Sequence, residues 1–173
     1  YRSKDGGVTW ERVLHVGERV GIIDLVMDPS NPARLWAASW QRGGGPGSGV
    51  HRSMDGGETW VKLGGGLPEG NRVGRVAVDV SVSDPSVVYA VVVDHSPKGG
   101  GRGGVQGLLF RSGDGGDSWS QTHQDAVPTY VGWDFCDVRV APDDANQVYL
   151  CGLRLLISSD GGKTFERGGE NVQ

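Results

Sequence analysis

Short apolar runs that alternate with turn-forming residues fill most of this chain. The clearest are Val73–Val78 and Val87–Val93, which are rich in valine and bounded by Gly, Asp, Pro or Ser. No stretch shows apolar residues at the three-to-four-residue spacing of an amphipathic helix. The pattern therefore predicts an all-β protein built from short strands.

The predicted strands fall into three sets of four, with about half a set ahead of them. They are Ile22–Met27, Leu35–Trp40, Val50–Ser53 and Trp60–Leu63; Val73–Val78, Val87–Val93, Leu108–Ser112 and Ser118–Gln121; and Cys136–Val140, Gln147–Cys151, Leu155–Ser158 and Thr164–Arg167. We place the boundaries of the half set and the three full sets at residues 1–15, 16–66, 67–124 and 125–173.

An eight-residue motif, Ser-x-Asp-Gly-Gly-x-Thr/Ser-Trp/Phe, separates the third and fourth predicted strands of every set. It recurs roughly every 50 residues, a period typical of one propeller blade per repeat. The four copies are Ser3–Trp10, Ser53–Trp60, Ser112–Trp119 and Ser158–Phe165.

Each residue of the motif has a structural role that explains its presence. Consecutive glycines accept positive φ in a tight turn, and an Asp carboxylate can accept hydrogen bonds from the turn amides. The hydroxyls can fix the turn backbone, and the terminal aromatic residue can pack against a neighbouring sheet. A calcium loop is the alternative, but it needs several alternating oxygen ligands and each copy offers one reliable carboxylate. We therefore predict structural roles for Asp5, Asp55, Asp114 and Asp160, and no metal.

The four copies resemble the Asp-box, or bacterial neuraminidase repeat, of sialidases, xyloglucanase-type glycoside hydrolases, sortilin-like receptors and a photosystem assembly factor. The segments 23–32, 40–42 and 44–49 extend this resemblance to large bacterial proteins of the sortilin-like and glycosyl hydrolase type. The resemblance implies a β-propeller in which the box joins strands three and four of each blade, on the face away from the active site.

About three and a half four-stranded blades would not close a propeller ring of the usual four to eight. We therefore expect a segment of a larger ring, with the remaining blades as its partners. The formal net charge of -4 gives no reason to expect nucleic acid as a partner. No apolar run approaches the length of a membrane span.

The predicted functional end of the blades lies opposite the boxes. When the three inner strands are aligned on their ends, Asp24, Arg75 and Asp137 share one position near the mouth of the central channel. An isolated buried charge is costly, so this position is expected to be a polar funnel. Asp24 and Asp137 could then serve as catalytic carboxylates in glycoside hydrolysis, with Arg75 binding ligand. The alternative is that the three are hydrated channel residues or pair with one another.

Aromatic residues lie where predicted strands meet loops at the same end. Trp40, Tyr130 and Trp133 could stack on sugar rings, and Arg42 could bind an anionic group. The alternative is that the aromatic residues seal gaps between blades. No cofactor is predicted, because the glycine-rich stretch 98–104 is not followed by a helix that could hold a nucleotide phosphate.

The two cysteines test the strand register of the third set. A symmetric hairpin centred between Asp143 and Asp144 would place Cys136 opposite Cys151. A cross-strand disulfide is then conceivable, although directly opposed positions strain its geometry. We expect free, buried thiols instead.

Two functions remain open. The resemblance implies an extracytoplasmic, periplasmic or secreted, Asp-box propeller similar to glycosyl hydrolases, which acts on or binds carbohydrate. Whether the intact protein is a glycoside hydrolase stays open. The alternative is a non-catalytic, sortilin-like propeller that binds peptide or protein partners or serves as an assembly scaffold. A fold alone does not decide between them, because propellers host unrelated activities.

Overall fold

Three four-stranded antiparallel sheets make up the described part of the protein. A computed structural model describes residues 1–95, 106–127 and 135–169. The strands are β1 (Val20–Met27), β2 (Leu35–Gln41), β3 (Gly49–Ser53) and β4 (Val61–Lys62); β5 (Val73–Val80), β6 (Val88–Asp94), β7 (Gln106–Ser112) and β8 (Ser120–Gln121); and β9 (Asp137–Val140), β10 (Val148–Cys151), β11 (Leu155–Ser158) and β12 (Glu166–Arg167).

Each sheet follows the chain order, so every blade is an antiparallel meander. This confirms the all-β prediction and its twelve strands. The fourth strands β4, β8 and β12 are shorter than predicted, because the ends of the boxes remain outside the ladder. The Ser118 amide, for example, donates to the box carboxylate of Asp114 rather than to a neighbouring strand. Residues 1–12 contribute one isolated bridge, between Arg2 and Glu11.

Two apolar cores lie between successive blades. Strand β6 supplies both, because alternate side chains of a strand point to opposite faces. Val88, Ala90 and Val92 belong to the core between the first and second blades. Tyr89, Val91 and Val93 belong to the core between the second and third. This double burial explains why the β6 sequence is almost continuously apolar.

The four boxes have one hydrogen-bond pattern. In the third box, the Ser112 hydroxyl donates to Asp114 Oδ1 at 2.6 Å and accepts from the Gly116 amide at 2.8 Å. Ser118 donates to the same carboxylate through its amide at 2.9 Å and its hydroxyl at 2.5 Å. These hydrogen bonds hold the pKa of Asp114 below its ordinary value. The carboxylate is thus fully used within its own turn, as predicted from the sequence.

The boxes lie at the same end of the blades as the turns between the first and second strands. The first box glycine of each blade donates its amide to such a turn, from Gly56 to Ala33, from Gly115 to Ser86 and from Gly161 to Asn146, over 2.7 to 2.9 Å. Both glycines of every box have positive φ, which favours glycine at these positions. The opposite end of the blades is left for the remaining loops.

The third blade corrects the predicted cysteine register. Cys151 lies opposite Asp137, and Leu150 lies opposite Val138. The hairpin is centred on Asp144, because Ala141 donates to the Gln147 carbonyl and closes a longer turn than the one predicted. Both thiols are free, as expected, but only Cys136 is buried and Cys151 is exposed.

The difference in burial predicts different reactivities for the two thiols. Burial raises the pKa of Cys136 to about 12, so little of it is thiolate near neutral pH. Iodoacetamide labelling of the folded protein, followed by mass spectrometry, is therefore expected to modify Cys151 and spare Cys136. Urea should make both reactive. Equal labelling rates without urea would contradict the burial of Cys136.

The two outer blades each leave apolar side chains exposed. On β1, Ile22, Leu25 and Met27 are 42%, 57% and 52% exposed. On the third blade, Leu153 and Leu155 are also exposed. The second blade, covered on both sides, has no comparable surface among its described strand residues.

Candidate functional site

The three charged residues predicted for the channel mouth line one cleft. This inner-strand cleft has a volume of about 350 Å³ and lies beside the inner strands β1, β5 and β9, near the ends away from the boxes. Its lining includes Asp24, Arg75 and Asp137. Arg139, two residues beyond Asp137 on the same strand, lines it as well.

The predicted common register of these residues is wrong for Arg75. The amides of Asp28, Ser81 and Ala141 donate to equivalent carbonyls and close equivalent turns, which fixes the alignment of the three blades. Ala77 then occupies the position of Asp24 and Asp137. Strand β5 runs two residues beyond its predicted end at Val78, and this shifts the alignment. Arg75 nevertheless reaches the cleft, next to a ladder irregularity between Val73 and Val76.

Asp24 connects the first two blades. Its Oδ1 accepts the Leu25 amide at 3.0 Å, and its Oδ2 accepts the Val78 amide of the next inner strand at 3.1 Å. A carboxylate that receives two backbone amides is fixed in orientation. Asp24 therefore has a structural role in addition to its place in the cleft.

The same connection recurs one blade later through Asp79, which the sequence reading missed. Asp79 accepts the Val80 amide at 3.0 Å and the Val140 amide of the third blade at 2.8 Å. Burial raises the pKa of Asp79 above its ordinary value, against the opposing effect of these two hydrogen bonds. The two aspartates are thus successive links between the inner strands.

Asp137 has a different environment from Asp24 and Asp79, because its main polar contact is an ion pair. Its Oδ1 forms an ion pair with Arg139 Nη1 at 2.7 Å. Burial raises the pKa of Asp137 above its ordinary value, and the nearby Asp24 charge adds to the rise, while Arg139 opposes it. A half-buried carboxyl with a raised pKa is suited to donating a proton.

Trp40 joins this group through Arg75. The Arg75 guanidinium lies 5.2 Å from the centroid of the half-buried Trp40 ring, within the range of a cation–π contact. Arg42 is exposed on the loop after β2 and is not part of the cleft lining. Tyr130, Trp133 and the glycine-rich stretch 98–104 lie outside the described residues.

Two other kinds of feature are absent from the described residues. No group of three or more His, Cys, Asp or Glu side chains in these ranges is arranged to hold a metal ion. Within the same ranges, no helix is long and apolar enough to cross a membrane.

Arg139 could have been found from the sequence. It lies two residues after Asp137 on a predicted strand, so both side chains project from one face. No comparable signal marked Asp79, because its role depends on an amide from a different blade, more than sixty residues away along the chain.

Comparison with known proteins agrees with the boxes. The family model described as BNR/Asp-box repeat matches residues 1–12. A xyloglucanase from a Paenibacillus species is 31% identical over 127 residues, which cover 73% of this chain and 11% of that protein. The chain therefore spans only about a tenth of this relative.

Solved structures share the fold at lower identity. A structure of YCF48 bound to D1 peptide has a TM-score of 0.58 at 17% identity and covers 86% of this chain and 40% of its own. An ancestral GH74 enzyme has a TM-score of 0.59 at 18% identity, over 89% of this chain and 19% of its own. The GH74 enzyme of Niastella koreensis has a TM-score of 0.57 at 20% identity, over 85% and 22%.

The repeated box geometry, the three meander blades and these similarities agree with one another. The chain is an all-β propeller segment of the BNR/Asp-box type that resembles xyloglucanase-type glycosyl hydrolases.

Proposed function

We propose that this segment belongs to a larger extracytoplasmic propeller that acts on carbohydrate, with the inner-strand cleft as part of its site. The observation that carries the proposal is the meeting of Asp24, Asp137 and Arg75 in one cleft, with Trp40 against Arg75. Two carboxyl groups flanking a sugar are the usual requirement of glycoside hydrolysis. The resemblance to a xyloglucanase makes a plant-type β-glucan the first substrate class to examine.

The two carboxyl groups are suited to different roles. Asp137 would be the proton donor, because burial raises its pKa. Asp24 would be the second carboxylate, fixed in orientation by the amides of Leu25 and Val78. Arg75 would bind hydroxyl groups of the sugar, with Trp40 limiting its movement.

The exposed apolar faces of the outer blades support the larger ring. Propeller blades bury their faces against neighbours, and the exposed side chains of β1 and of the third blade are suited to such contacts. We propose blade boundaries at 1–15, 16–66, 67–124 and 125–173, with further blades packing against both ends.

Replacing Asp137 with asparagine tests the enzyme proposal. In the full-length protein, Asp137→Asn is expected to lower kcat for xyloglucan about 100-fold, because it removes a general acid. Release of reducing ends measures this rate. Asp143→Asn, an exposed aspartate in the turn between β9 and β10, is the matched control and should retain full activity. Equal activity of both variants would eliminate Asp137 as the acid.

A second function is favoured by one observation at the cleft. Both oxygens of Asp24 already accept backbone amides, and the Trp40 ring already contacts Arg75. These groups could therefore stabilise a propeller that binds a polypeptide without turnover, and one protein of similar fold is a peptide complex. Saturable binding of a peptide by the full-length protein, with no hydrolysis of any β-glucan, would favour this function over the first.

A further inference from the structure

A recurring set of contacts joins successive blades at the box end, and it involves the arginine that precedes the box serine. At the first junction, Arg2 donates Nη1 to the Gly56 carbonyl of the next box at 3.0 Å. Its Nη2 lies 2.8 Å from the carboxylate of Glu58, three residues after the box aspartate. The arginine thus binds both a backbone carbonyl and an acidic side chain of the following box.

The second junction repeats these contacts. Arg52 donates Nη1 to the Gly115 carbonyl at 2.9 Å, and its Nη2 pairs with Asp117 at 2.7 Å. Asp117 stands at the same box position as Glu58. An arginine facing an acid is therefore the regular arrangement between blades.

The third junction replaces the acid with a base. Arg111 is the equivalent arginine, but the box position of Glu58 and Asp117 holds Lys163. Arg111 donates Nε to the Tyr89 hydroxyl at 3.2 Å and lies over that ring. None of the ion pairs formed between residues in the described ranges includes Arg111 or Lys163.

These two cations line a cavity of about 410 Å³ between the second and third blades. Ser118, Ser120 and Thr122 contribute hydroxyl groups to its wall, and Asn146 contributes an amide. The hydroxyls of Ser118 and Thr122 already donate, to Asp114 and to the Leu109 carbonyl. The Ser120 hydroxyl and the Asn146 amide are the wall groups that can donate hydrogen bonds to an oxygen ligand.

The carboxylate of Asp160 also lines the cavity, but it already accepts hydrogen bonds from residues of its own box. Oδ1 accepts from the Ser158 hydroxyl at 2.8 Å and from the Lys163 and Thr164 amides at 3.0 and 2.9 Å. Oδ2 accepts from the Thr164 hydroxyl at 2.7 Å. Among the described residues, Asp160 forms no ion pair with Arg111 or Lys163, whereas Glu58 and Asp117 each pair with the arginine of their junction.

We propose that this junction cavity binds a small tetrahedral oxyanion, a phosphate as the free ion or as a monoester, between Arg111 and Lys163. The guanidinium offers planar paired donors and the ammonium a compact charge, a combination suited to phosphate oxygens. The ligand takes the place of the acid found at the other two junctions. The cavity lies at the box end, away from the inner-strand cleft, so its occupancy does not depend on the function of that cleft.

Calorimetric titration tests the site with inorganic phosphate, glucose 6-phosphate and sodium chloride at matched ionic strength. Wild-type protein is expected to bind one or both phosphates saturably and chloride not at all. Tight binding of inorganic phosphate identifies the free ion as the ligand, and tighter binding of glucose 6-phosphate identifies a monoester.

Two variants locate the binding. Lys163→Glu restores the acid of the other junctions, so it should weaken phosphate binding by at least about tenfold while leaving the thermal midpoint unchanged or raised. Arg111→Gln should weaken binding to a similar degree. Arg12→Glu has the same change in charge at an exposed position and is expected to bind like wild type. No saturable phosphate binding, or equal weakening by Arg12→Glu, would overturn the proposal.

Discussion

Gly66→Ala is expected to lower the free energy of unfolding by about 3–5 kcal/mol, because the added methyl group would meet both a strained backbone and a neighbouring blade. Gly66 follows β4 and has a φ of +114°, which L side chains rarely adopt. A Cβ at this position would lie 2.3 Å from the Trp119 carbonyl oxygen of the next blade. That backbone cannot withdraw easily, because the Trp119 amide donates to the Gly65 carbonyl at 2.7 Å. The contact thus fixes the distance between two blades.

Gly70→Ala separates the steric contact from the backbone strain. Gly70 lies in the same loop with a φ of +86°, but a Cβ there would meet nothing within 4 Å. Gly70→Ala should therefore lower the free energy of unfolding by about 1 kcal/mol, the usual cost of a side chain at positive φ. Urea unfolding followed by tryptophan fluorescence measures both variants. Equal losses would show that the blades can move apart at this point.

Lowering the pH from 6.5 to 4 is expected to cost up to about 3 kcal/mol of stability through His51 alone. His51 is buried on β3, and its Nε2 lies 2.9 Å from the Ser39 hydroxyl. Burial lowers the pKa of His51 to about 4, and the charge of Lys62 adds to the effect. Between pH 6.5 and 4, His51 takes up a proton in the unfolded chain but stays largely neutral in the folded protein. Stability should therefore fall through this window and be unaffected by His51 above it.

His51→Gln removes the titrating group while keeping a partner for Ser39. Its unfolding free energy should vary less between pH 6.5 and 4 than that of the wild type. The box carboxylates lose their contribution at lower pH, because hydrogen bonds from Thr9 and Thr59 lower the pKa values of Asp5 and Asp55 to about 2. The two effects therefore occupy separate pH ranges. Parallel stability curves for wild type and His51→Gln would exclude His51 as the source.

The fold was predictable because its signals are local. Two positive-φ glycines, a carboxylate that binds its own turn and short apolar strands bounded by turn residues all follow from neighbouring residues. Strand register was less predictable, since it depends on turn length. The turn centred on Asp144 moved Cys151 opposite Asp137, and the extension of β5 to Val80 moved Arg75 out of the register of Asp24.

The candidate site was predictable only in part. Counting along the strands brought Asp24 and Asp137 to one end of the blades, where both line the inner-strand cleft. The blade-to-blade contacts were not predictable, because they join residues far apart in sequence. The bond from the Val78 amide to Asp24 is an example, and it assigns a structural role that the sequence reading did not foresee.

We propose that the box end stabilises the blades while the opposite end binds carbohydrate. Hydrogen exchange of the full-length protein, with and without a xyloglucan oligosaccharide, tests it most directly. We predict slower exchange of amides around Asp24, Arg75 and Asp137, and unchanged exchange in the four boxes. Protection confined to the boxes, or no protection anywhere at saturating oligosaccharide, would contradict the claim.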